Sequence, residues 1–134
     1  MAIQWNESHS VNVKEIDEQH KTFIGILNKI YDLVYQRIDQ AELKKILDEL
    51  VAYAEKHFQT EEGYFDKFNY EHSEEHKKEH LKLKTQIGDF YKKLEAGEVE
   101  ISVELLDFLE NWLVDHLDIQ DKKYIKCFNE HGLF

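Results

Sequence analysis

Seven side chains able to share one chemistry recur along this sequence: His20, His57, Glu61, His76, His80, His116 and Asp121. His57 with Glu61, and His76 with His80, stand four residues apart, which puts both members of a pair on one face of a helix. They fall inside apolar stripes, not on charged faces. His20 leads into Phe23, Leu27, Ile30, Tyr31 and Val34, and His116 follows Leu105, Leu109 and Trp112. A carboxylate or imidazole withdrawn from water is costly unless it is paired or bound to a metal. One histidine in such a stripe is more often a satisfied core residue. Donors from four periodic segments at once favour a metal centre. His9, His72 and His131 are expected at the surface, in an arm, a break and a frayed end, with no role.

Imidazole and carboxylate without thiolate suit iron, manganese or zinc, and seven donors exceed what one tetrahedral zinc ion takes. Two octahedral ions accommodate them, and two irons are the better fit. If Glu61 and Asp121 each bridge the ions and a shared oxide or hydroxide joins them, all but one position is filled. The vacancy would take a small diatomic ligand.

The elements that must position these donors are helices. The 134 residues contain no proline and only five glycines, a composition that suits long helices. One domain is expected over 1–134, with an extended arm at 1–16 and a bundle at 17–132. The first helix runs from about Asp17 to Ile38. Asp39 can cap the second, whose stripe passes through Leu43, Leu47, Leu50, Ala54, His57, Glu61 and Phe65 before fading near Lys67. Ser73 is read as the N-cap of the third, with His76, His80, Leu83, Ile87, Phe90 and Leu94 inward and Gly97 ending it. Ser102 is read as the cap of the fourth, which continues to Gly132. Short connections imply an all-α, antiparallel up-down-up-down four-helix bundle. Gly25, Gly63 and Gly88 interrupt helical segments at a cost of roughly 1 kcal/mol each, through either close helix approach or simple tolerance.

One spacing does not fit a regular helix. Five residues turn through about 500°, which leaves His116 and Asp121 roughly 140° apart. Both can reach one site only if the turn between them is widened, as in a π-type bulge.

The formal net charge of -11 repels phosphate backbones and anionic lipids, so neither nucleic acid nor a membrane is an expected partner. Met1 leads into a polar arm with Trp5, Asn6 and Glu7, and no apolar run is long enough to cross a bilayer; a cytoplasmic protein is expected. Cys127 is the only cysteine. An internal disulfide is therefore excluded, and Cys127 is read as a packed or idle thiol.

The sequence resembles the hemerythrin family, most like its free-standing prokaryotic members. The resemblance rests on Ile16-Asp17-Glu18-Gln19-His20, His57-Phe58 with Glu61-Glu62, His76 with Glu79-His80, and Trp112-Leu113 with His116, Asp121 and Tyr124. It implies that His76, His80 and His116 hold a saturated iron, that His20 and His57 hold an open one, and that Glu61 and Asp121 bridge. It implies further that dioxygen binds reversibly at the open iron, so that the protein is a carrier, store or scavenger and not an enzyme. An oxygen-consuming protein or a reductase would be its partner. Phe58, Trp112, Leu113 and Leu117 would form a dry wall around the ligand. Five neutral imidazoles also bring less negative charge than a carboxylate-rich shell, which disfavours higher iron oxidation states. The alternatives are a di-iron enzyme acting on oxygen, peroxide or nitric oxide, or an oxygen or iron sensor.

Overall fold

The computed structural model describes residues 3–134, so the first two residues of the predicted arm lie outside the described residues. Helices α1 (Lys14–Tyr35), α2 (Gln40–Phe68), α3 (Ser73–Glu95) and α4 (Val103–Asp115) follow in order. The fourth segment then continues as a π turn (His116–Gln120), a 3-10 turn (Asp121–Tyr124) and a final short helix α5 (Ile125–Glu130). None of these helices is long and apolar enough to cross a membrane.

Local sequence chemistry explains most boundaries. Asp39 caps α2 as expected, its carboxylate accepting from the amides of Ala41 and Glu42. Gly97, at φ +74°, closes α3 with Glu98 N–H donating to the Lys93 carbonyl at 2.9 Å, a turn that favours glycine. The other two predicted caps differ. Ser73 is the first helical residue, with His72 before it, and Ser102 stands at the N-cap position of α4 without a side-chain capping bond.

Two more expectations are corrected. The arm is not wholly extended, since Glu7–His9 form a 3-10 turn capped by Asn6, and α1 begins three residues before Asp17. His9 is not a surface residue. It is buried, packs obliquely on Trp5, and meets Asp118 at 3.1 Å. Nothing in the arm's local sequence signals this burial, which comes from the arm lying against the π turn.

The buried core has two parts. The larger holds Phe23, Leu27 and Ile30 of α1, Leu43 to Phe58 of α2, Leu83 and Ile87 of α3, and Leu105 to Leu117 of the fourth segment. The smaller gathers Val11, Val13, Ile16, Phe65, Tyr70, Tyr124 and Phe128. Along α1 the chain passes from the smaller core to the larger, along α2 from larger to smaller, from Tyr70 through α3 to Leu83 and Ile87 from smaller to larger, and along the fourth segment from larger to smaller. That alternation is the antiparallel bundle. In each of these helices the predicted donors sit at the crossing between the cores, so the polar cluster occupies one level of the bundle.

The helical glycines settle as tolerated rather than required. A Cβ added at Gly25, Gly63 or Gly88 would meet no neighbour within 4 Å, so close helix approach does not explain them. Gly25→Ala is expected to raise stability by up to about 1 kcal/mol, seen as a higher urea midpoint at unchanged slope. A lower midpoint would contradict the open space around it.

Candidate metal centre

All seven donors are buried, and Glu61 and Asp121 have 0% exposure. Their tips form two groups, each with ligand atoms within 4.8 Å of one another: Glu61, His76, His80 and His116 in one, and His20, His57, Glu61 and Asp121 in the other. Glu61 is common to both. Asp121 spans them as well: its Oδ1 lies 3.1 Å from His76 Nε2 and 3.0 Å from His116 Nε2, while its Oδ2 lies 3.1 Å from His20 Nε2. Glu61 Oε1 stands 3.2 Å from His57 Nε2 and 3.3 Å from His80 Nε2.

The π turn makes this possible. The Asp121 amide donates to the His116 carbonyl, five residues back, in place of the four-residue bond of a regular helix. Inward positions 116, 121, 124 and 128 therefore step by five, three and four, one residue more than an unbroken stripe. The widened turn expected from the spacing is present.

Several observations test whether cations fit. The paired Nε2 atoms of His20 and His57, His76 and His116, and His80 and His116 are 2.9, 3.0 and 3.1 Å apart. Nitrogens bound at right angles around one ion at about 2.1 Å would stand about 3 Å apart. The four oxygens of Glu61 and Asp121 are buried and make no hydrogen bond, a costly state unless a cation completes it. Outer partners fix the rings. The His57 Nδ1–H points to Gln19 Oε1 at 2.7 Å and the His80 Nδ1–H to Glu62 Oε2 at 2.9 Å, which leaves each Nε2 lone pair facing inward.

The electrostatics show the same demand for positive charge. Burial, then the neighbouring His57, pulls the His20 pKa below its usual value, and burial does the same to His80. For His116 burial acts in that direction too, but the Asp121 carboxylate foremost raises its pKa to about 10. Burial opposes ionisation of Glu61 and Asp121, yet the facing imidazoles hold both well below the usual carboxylate range. A cation entering the cluster must displace the proton on His116. Loading the metal-free protein with ferrous iron at pH 8 is therefore expected to release protons into weakly buffered solution, read with a pH indicator. Loading without acidification would contradict the raised His116 pKa.

Of the four residues expected to form a dry wall, two stack on donor rings. Phe58 stacks on the His80 ring at 3.9 Å, and Trp112, half-buried, stacks on His116 at 4.4 Å. Leu113 and Leu117 are buried in the larger core. Sequence reasoning missed Phe23 as part of this wall. With Phe58 it lines an apolar cavity of about 200 Å³ between α2 and α3, with Leu83 and the more exposed Glu55 and Lys84 also on its lining. Its place three residues after His20, on the same helical face, was the available signal. Gln19 and Glu62 were noted only as parts of motifs, and Tyr124 likewise. The Tyr124 hydroxyl is buried without a hydrogen bond, and burial with the charges of Asp121 and Glu61 holds its pKa well above the ordinary value.

An antiparallel helical bundle with five imidazoles and two shared carboxylates at one buried level is of the class able to hold metal cations. Residues 11–128 match the family model described as Hemerythrin HHE cation binding domain. The chain is 37% identical over 118 residues to a bacteriohemerythrin of Methylococcus capsulatus, covering 88% of this chain and 89% of that one. It is 30% identical over 125 residues to a bacteriohemerythrin of Clostridium acetobutylicum, covering 90% and 97%. A crystal structure of wild-type hemerythrin superposes with a TM-score of 0.90 at 35% identity, over 95% of this chain and 98% of that one. The chain belongs to the hemerythrin family.

Proposed function

We propose that this protein binds dioxygen reversibly at a non-haem di-iron centre, as a carrier, store or scavenger. His76, His80 and His116 would hold one iron and His20 and His57 the other, Glu61 and Asp121 would serve both, and an oxide or hydroxide would complete the centre. The observation that carries this reading is the asymmetry of the two donor groups, which have three imidazoles on one side and two on the other with the carboxylates common to both. The two-imidazole side is where a position is left for a diatomic ligand. When bound, the irons supply the electrons that dioxygen takes up and returns.

The chain's own residues decide whether that exchange stays reversible. Gln19 and Glu62 keep His57 and His80 in the tautomer that offers Nε2 inward. Phe58, Trp112, Leu113 and Leu117 present apolar surface, and Phe23 extends it into the neighbouring cavity. Such a lining limits the water and protons that would turn binding into reduction. The same reading takes 1–134 as one domain working in the cytoplasm, not as an enzyme, with an oxygen-consuming protein or a reductase as partner.

The test is addition of oxygen to the reduced, iron-loaded protein, followed by optical spectra and deoxygenation under vacuum. A charge-transfer band that appears with oxygen and vanishes on its removal, at two irons per chain, is expected. Irreversible oxidation with release of peroxide would overturn the reading, and steady turnover with a reductant would assign the chain to the enzymes instead.

A further inference from the structure

The π turn that aligns His116 and Asp121 is gripped from outside by the N-terminal arm. His9 Nδ1 lies 3.1 Å from Asp118 Oδ1, in the middle of that turn. Lys122, directly after Asp121, donates its ammonium to the carbonyls of Ser8 and Ser10 at 2.5 and 2.9 Å. Asn12 and Asn129 exchange two further bonds, from Asn12 Nδ2 to Asn129 Oδ1 at 2.9 Å and from Asn129 Nδ2 to the Asn12 carbonyl at 3.2 Å. The arm itself is held firmly. Asp17 of α1 accepts from the Ser10 hydroxyl at 2.5 Å and the Val11 amide at 2.8 Å, Asn28 donates to the Ile3 carbonyl at 2.7 Å, and Val11 and Val13 are buried in the smaller core.

None of these arm residues is among the donors, yet their contacts bracket Asp121 at positions 118 and 122. A widened turn is less favourable than regular helix, and left alone it would relax and carry the Asp121 carboxylate away from the imidazoles. We infer that the arm is a clasp, with His9 and Lys122 as positioning residues, that holds the π turn in its ligand-aligned form before any cation arrives. The inference rests on the di-iron reading for its consequence, retention of iron, but not for its structural content. An interaction beyond the donors can weigh heavily on metal affinity because it fixes their orientation.

The protein, loaded with ferrous iron, is challenged with a ferrous chelator. His9→Ala and Lys122→Met are each expected to lose iron about tenfold faster than the wild type, whereas His72→Ala, on the exposed break, stays within about twofold. His9→Asn, whose amide N–H can stand where the ring Nδ1–H stood, is expected to recover most of the retention. With cobalt(II) in place of iron, the visible d–d bands should shift in His9→Ala and return in His9→Asn, a change that mere loss of stability does not produce. In the metal-free proteins, amide hydrogen exchange at 116–121 should quicken in His9→Ala and be unchanged at 43–50 in α2. Exchange at 116–121, or iron loss, that stays at the wild-type rate overturns the clasp. In a chain that takes up no iron the dioxygen reading fails by itself, and the exchange comparison alone then decides the clasp.

Discussion

If the centre holds two irons as proposed, replacing Glu61 by alanine is expected to empty both sites at once. Its carboxylate belongs to both donor groups, and its oxygens are buried without any hydrogen bond. Losing an outer partner of a metal ligand typically weakens binding about 10- to 100-fold, so loss of a donor shared by two ions should exceed the upper figure. Iron analysis after desalting should fall from two irons per chain to nearly none. A centre held by histidines alone would keep most of its iron, and that outcome would sink the bridging assignment. The metal-free proteins supply the control. Removing Glu61 leaves a small cavity but also removes a buried carboxylate with no hydrogen bond, and these effects oppose each other. The metal-free variant is therefore expected to unfold within about 1 kcal/mol of the metal-free wild type. A purely structural Glu61 in a buried ion pair would cost about 3–5 kcal/mol when cut away.

Stripping the metal is the second large effect. Without cations the bundle must keep two ionised carboxylates and five imidazoles at one buried level, with a proton on His116 only partly balancing the charge. A ligand bound to the folded state alone stabilises by about 4 kcal/mol at a thousandfold excess over its dissociation constant. For a chain of this length that corresponds to a fall in Tm of roughly 15 °C on chelation. Calorimetry on the iron-loaded and stripped proteins measures it, and readdition of ferrous iron should restore the original transition. Equal melting temperatures would mean that the cluster holds no cation of consequence. The loss should also be local. Amide exchange is expected to quicken near the ends of α2 and α3 that carry the donors, and to change little around Leu43 and Leu47, where the larger core is continuous.

The helices and the donors that converge were legible because both depend on short-range periodicity. Apolar residues at three- and four-residue steps can only gather on one helical face, and a histidine or carboxylate within that stripe is carried into the interior with it. His57 with Glu61 and His76 with His80 followed from this alone, and the awkward spacing of His116 and Asp121 even announced the π turn, since a regular helix cannot bring both inward. What periodicity cannot express is which atoms meet across helices. The division of Asp121 between His20 on one side and His76 and His116 on the other, the outward anchoring of His57 by Gln19 and of His80 by Glu62, and the entry of Phe23 into the wall depend on rotation and offset between packed helices. His9 shows the limit most clearly. Taken locally it is a polar residue in an irregular arm, and its burial goes with the packing of that arm against the π turn, where it meets Asp118, 109 positions later. The chain by itself thus determined four amphipathic segments and a buried set of imidazoles and carboxylates, because the 3.6-residue helical repeat is a local property. Tertiary structure alone decided how the set divides into two groups and what holds the π turn in place, because those depend on contacts between residues far apart in sequence.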